Sequence, residues 1–131
     1  MPIEEDRFRE RSSALDKVDK VIALIATEGR WCKFFALSGD GRRCLWGALW
    51  AEDAAPMLEG PVLEAVIQVT GRRYESIDAF NDHPATTHAT VLAVLHRTRQ
   101  NLWMATSPAA PRYRWSPASS AWLAPLQVGL A

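Results

Sequence analysis

Only two cysteines occur in the 131 residues, Cys32 and Cys44, and they do not form a Cys-x-x-Cys pair. So few cysteines exclude a disulfide-stapled scaffold and suggest a reducing compartment, the cytoplasm. No apolar run approaches the length of a membrane-spanning helix, so no membrane partner is expected. The start, Met1-Pro2-Ile3-Glu4-Glu5-Asp6, lacks the basic residues and apolar stretch of a secretory signal. No Gly-x-Gly-x-x-Gly follows a strand pattern, which disfavours a dinucleotide fold, and no cofactor is expected.

Excess charge is also missing, because fifteen basic residues balance fifteen acidic ones. Bulk attraction to nucleic acid therefore has no basis. The balance hides an asymmetry. Residues 1–82 carry all fifteen acids and a net charge of −4, whereas residues 83–131 carry no acid and four arginines. Such a split can orient subunits or face an acidic partner, and it also describes a tail with solvated arginines.

What is present is mostly helical in pattern. Leu15, Val18, Val21, Ile22 and Ile25 recur at three- and four-residue intervals, which predicts a helix over about 4–28 ended by Gly29. Trp31–Leu37 reads as a short strand, Ser38-Gly39-Asp40-Gly41 as a tight turn, and 43–51 as a return strand or, the favoured reading, a helix, stopped by Pro56. Pro61 then opens a helix with Leu63, Val66 and Ile67 inward, closed by Gly71. Ser76 caps a short helix through Phe80. Thr86 or Thr87 caps another, with Val91, Leu92 and Leu95 inward, running to about Arg99. Leu102–Thr106 and Arg112-Tyr113-Arg114-Trp115 suit a second hairpin.

The chemistry-bearing residues fall in two separated stretches, Trp31 through Leu49 and Phe80 through Pro84, with His88 just beyond. Cys44 at a helix start, near Arg42 and Arg43, is placed to favour its thiolate. His83 or His88 could act as its base, oriented by Asn81 or Asp82. The plainer alternative makes Cys44 a small buried apolar residue and Asn81-Asp82 a turn lock. Cys32, Cys44, His83 and His88 make up a zinc-like donor count, but eleven residues separate the cysteines and no ligand spacing recurs, so no metal is expected. Ser38–Arg43 could cradle an anion, although Asp40 opposes it and a surface turn explains it more simply. Arg112, Tyr113, Arg114 and Trp115 could contact nucleic acid, but four arginines without lysine make a thin footprint.

Trp31, Cys44-Leu45-Trp46-Gly47-Ala48-Leu49, and Phe80-Asn81-Asp82 with Thr87 and Val91 carry a resemblance. Over residues from about 15 to 100 the chain resembles a family of small bacterial and phage-associated proteins of uncharacterised function. His83 and the Trp- and Pro-rich tail depart from that pattern. The resemblance implies a mainly helical domain and supplies no activity.

The expected fold is mainly α, four to five helices with one or two short β-hairpins, and α+β is the alternative. Residues 1–100 would form the compact domain, and 101–131 an extension packing on the core or on a partner. The expected function is a non-catalytic interaction module, self-associating or binding a protein partner. Its contacts would be Trp103, Tyr113, Arg114, Trp115 and Trp122. The alternative is a thiol-dependent hydrolase or transferase using Cys44 with His83 or His88.

Overall fold

Five helices pack around a single apolar cluster in the computed structural model, which describes residues 2–106. They are α1 (Pro2–Leu24), α2 (Leu45–Ala51), α3 (Ala55–Thr70), α4 (Ile77–Asp82) and α5 (His88–Thr106). α5 is the central element, with its largest contacts against α3 and α1. The expected periodicity of α1 buries Val18 and Val21 completely, and Ile25 is equally buried just past its end. On α5, Val91, Val94 and Leu95 are equally buried, while Leu92 is only half-buried. Among the described residues no helix is long and apolar enough to cross a membrane.

Several helix boundaries differ from the sequence expectation. α1 ends at Leu24, and Gly29 sits in a short 3-10 turn, Glu28–Arg30, instead of closing α1. α3 begins before Pro61. Pro56 falls in its first turn, where the missing N–H costs nothing, so Pro56 opens a helix and does not merely stop one. Pro61 lies inside α3, where its missing N–H removes the i+4 donor of the Met57 carbonyl, one turn earlier on an exposed residue. The earlier start exposes the inward face directly: Leu58, Val62, Ala65 and Val66 are buried, whereas Leu63 and Ile67 are only partly so. Gly71 does close α3, at φ 74°.

Neither expected hairpin forms among the described residues. Leu102–Thr106 continues α5, and Leu102 packs against the core from its helix. Residues 107–131, including Tyr113, Arg114, Trp115 and Trp122, lie outside the described residues. Around residues 31–45 the turn exists, since Ser38 N donates to Arg42 O at 2.7 Å and Gly41 N to Ser38 O at 3.0 Å. The flanking segments nevertheless meet in a single parallel bridge, Trp31 with Arg43. A hairpin would run antiparallel. The chain makes an additional turn at Phe34, whose φ of 73° lies in the left-handed region, so the returning segment runs alongside the first in the same direction.

Two tertiary contacts hold the helices that frame this loop. The Lys17 ammonium on α1 donates to the Glu52 and Asp53 carbonyls at 3.1 Å each, satisfying the exposed C-terminal end of α2. Asp19 on α1 receives the Arg99 guanidinium of α5 at 2.8 Å.

Candidate functional site

The site is the 31–43 loop seated on α2 and α4, and a single side chain organises it. In the parallel bridge, Arg43 N donates to Arg30 O at 2.9 Å and Cys32 N to Arg43 O at 3.0 Å. The next rung of a parallel ladder would run from Leu45 N to Cys32 O. The Asn81 amide occupies it instead. Its Oδ1 accepts from Leu45 N at 3.0 Å, and its Nδ2 donates to Cys32 O at 3.1 Å. Oδ1 also accepts from Trp31 Nε1 at 2.7 Å, and Nδ2 donates to Asp82 Oδ1 at 2.9 Å. All four hydrogen-bonding positions of the amide are used, and Asn81 is fully buried.

Its neighbours complete the anchorage. Asp82 Oδ1 accepts from Phe34 N at 2.8 Å, and Lys33 Nζ donates to His83 O at 2.7 Å. Holding a phenylalanine in the left-handed region costs about 1–3 kcal/mol, which the surrounding bonds must offset. Burial does not offset it, because Phe34 is 72% exposed, with Phe35 at 61% and Leu37 at 56%. Trp31, Lys33, Phe34, Phe35, Ser38 and Arg42 contribute to an open groove of about 450 Å³.

The Cys-x-x-Gly stretch has a structural account. Cys44 is the N-cap of α2, and its Sγ accepts from Gly47 N at 3.2 Å. A Cβ on Gly47 would collide with the Ala36 carbonyl, so only glycine lets the loop backbone rest on α2. Cys44 N donates to Phe35 O at 3.2 Å, and the Cys32 thiol reaches the same oxygen at 3.3 Å.

The expected catalytic constellation is not brought together by any hydrogen bond among the described residues. The Cys44 thiol faces Asp78 Oδ1 at 3.9 Å. His83 Nδ1 accepts from Ala85 N at 3.0 Å in its own turn, and His88 Nε2 pairs with Ile25 O at 2.7 Å. Asn81 and Asp82 orient the loop, not an imidazole. The electrostatics also oppose the expected thiolate. Burial raises the Cys44 thiol, and the nearby Asp78 carboxylate raises it further, against the lowering contribution of the Gly47 amide. Burial likewise raises Cys32, and it is Cys32, not Cys44, that Arg42 acts upon. Both thiols are free and buried. Asp78 is itself raised by burial and by Asp82.

The other sequence candidates resolve similarly. Ser38 Oγ donates to Asp40, and Arg42 Nε lies 2.9 Å from the same carboxylate. The turn therefore satisfies its own polar groups. Among the described residues no group of three or more His, Cys, Asp or Glu is arranged to hold a metal ion. Trp103 lies in the last turns of α5, 51% exposed beside Met104 at 50%. Sequence reasoning missed the exposure of Phe34, Phe35 and Leu37. Their unbroken run of aromatic and apolar types signals burial unless the left-handed turn is known.

A family model described as a family of unknown function (DUF6197) matches residues 10–101. No curated protein matches the chain, and no solved structure does.

Proposed function

The chain belongs to that family of unknown function, and we propose that it is a non-catalytic interaction module that self-associates or binds a protein partner. The contact surface in this reading is the aromatic C-terminal extension, with Trp103, Tyr113, Arg114, Trp115 and Trp122 as anchors. The observation that supports it is the exposure of Trp103 and of Met104, each about half exposed, in the last turns of α5. Exposed large apolar side chains are enriched at contact sites, and tryptophan and arginine dominate the energetics of such sites. Compatible with a non-catalytic role, each candidate catalytic side chain is engaged in a structural bond. Two free thiols agree with a reducing compartment, the cytoplasm.

Sedimentation of the full chain beside a Trp103→Ser/Trp115→Ser/Trp122→Ser variant tests the self-association arm. A concentration-dependent oligomer that the variant loses supports it. A monomer in both cases leaves the protein-partner arm, which crosslinking at these three positions tests. No crosslink there would overturn the reading. Truncation at Asn101 is a poor substitute, because it removes Leu102 from the core.

A further inference from the structure

We infer that Cys32 and Cys44 are the two halves of a reversible disulfide, a modification site closed by a peroxide oxidant. Register pairs them. Arg43 N donates to Arg30 O and Cys32 N to Arg43 O, which makes Trp31 and Arg43 directly opposed residues of a parallel pair. The next residue on each segment is a cysteine, and Cys44 is still extended, at φ −80° and ψ 173°. Side chains alternate along an extended chain, so both cysteines leave the bridge on the face away from Trp31 and Arg43. Burial agrees, because Cys32 and Cys44 are buried whereas Trp31 and Arg43 are half-buried. Opposed residues of neighbouring strands lie about 4.8 Å apart, within the span of about 4.4–6.8 Å between Cα atoms that a disulfide bridges. Both cysteines also meet the Phe35 carbonyl, Cys32 through its thiol at 3.3 Å and Cys44 through its amide at 3.2 Å.

Access sets the order of events. Cys32 borders the open groove of about 450 Å³, whereas Cys44 is held inside as the cap of α2. The Cys32 sulfur attacks one peroxide oxygen, the O–O bond breaks, and a sulfenic acid and one water result. The Cys44 sulfur then attacks the Cys32 sulfur. The S–S bond forms, the S–O bond breaks, and the hydroxide leaves with the Cys44 proton as a second water. Peroxide thus takes the two electrons and two protons that the thiols lose, and a thiol reductant returns them. Burial raises both thiols, so the reaction is slow at neutral pH and faster toward alkaline pH. The Asn81 amide holds only the backbone of Cys32 and Leu45, so the bond closes without dismantling that frame. It replaces the contacts of Cys32 Sγ with Phe35 O and of Cys44 Sγ with Gly47 N. The exposed Phe34, Phe35 and Leu37 then belong to a covalently closed 32–44 loop.

The test treats the full chain with hydrogen peroxide while circular dichroism stays native, then blocks remaining thiols with iodoacetamide and digests with trypsin. Cleavage after Lys33 and Arg43 puts the cysteines on separate peptides, so the disulfide is read as a linked pair that dithiothreitol separates. The linked pair should form within one chain, at a rate independent of protein concentration. Cys44→Ser keeps an acceptor for the Gly47 amide and Cys32→Ser a donor for the Phe35 carbonyl, so both variants should fold. Cys44→Ser should stop at a Cys32 sulfenic acid that dimedone captures, and Cys32→Ser should slow oxidation of Cys44 about tenfold. Four outcomes would overturn the inference. They are no reaction of the native chain, sulfinic acid at Cys32 without the linked pair, disulfides only between chains, or a linked pair that forms only after unfolding in urea.

Discussion

The indole Nε1 of Trp31 donates to the side-chain oxygen of Asn81 at 2.7 Å, across fifty residues of sequence. The same oxygen takes the Leu45 amide, so one buried carbonyl joins the loop, α2 and α4. Replacing Asn81 with Leu would leave the Trp31 and Leu45 donors and the Cys32 acceptor unpaired. We expect a loss of about 3 kcal/mol, measured by urea denaturation. Asn81→Asp should fare no better, because a carboxylate cannot donate to the Cys32 carbonyl and would face Asp82. Stability within about 0.5 kcal/mol of the parent would show that the amide does not organise the loop.

Gly47→Ala separates helix propensity from packing. In a solvent-facing helix the change should stabilise, by about 1 kcal/mol. Here the added methyl meets the Ala36 carbonyl, so the expected result is a destabilisation of about 1–3 kcal/mol, seen in thermal melts. A rise in Tm would contradict the close approach.

The capping role of Cys44 makes a prediction opposite to that of a nucleophile. Cys44→Ser keeps a cap acceptor for the Gly47 amide and should stay within about 1 kcal/mol of the parent, whereas Cys44→Ala should lose about 1 kcal/mol. Iodoacetamide should label the native thiols slowly at neutral pH, because burial raises both. Cys32 borders the groove and should label before Cys44. Rapid labelling of Cys44 alone in the folded protein would argue for an activated thiol.

Asp78 contributes a pH dependence of defined sign. Its carboxyl is raised above the ordinary 3.8 by burial and by Asp82, so the folded state holds that proton more tightly than the unfolded chain does. Its contribution to stability is therefore fully present below the unfolded pKa and is lost as pH rises through the folded one. Asp78→Asn should flatten that part of the stability profile and leave the protein at least as stable at neutral pH. A profile that keeps its downward slope after the substitution would assign the effect to another group.

The long elements were legible because their signals are local. Val18, Val21 and Ile25 lie one helical turn apart, Gly71 sits where a left-handed closure is needed, and Ser76 caps α4 through the Ala79 amide at 3.0 Å. Pro56 misled because proline both stops a helix and starts one, and the flanking residues do not distinguish the two uses. The hairpin expectation failed for a different reason. Phe34 carries no sign of its left-handed conformation, since the bond that holds it comes from Asp82, forty-eight residues away.

Periodicity and capping residues alone thus determined a helical domain and most of its buried faces, and residue types singled out the Trp31–Leu49 and Phe80–Pro84 stretches. Only the tertiary structure decided what those stretches do. Hydrogen bonds between distant residues have no periodic trace, so pairing Asn81 with Trp31, Cys32 and Leu45 required the folded chain. That pairing uses the polar groups as an internal frame and turns the phenylalanines of the loop toward solvent.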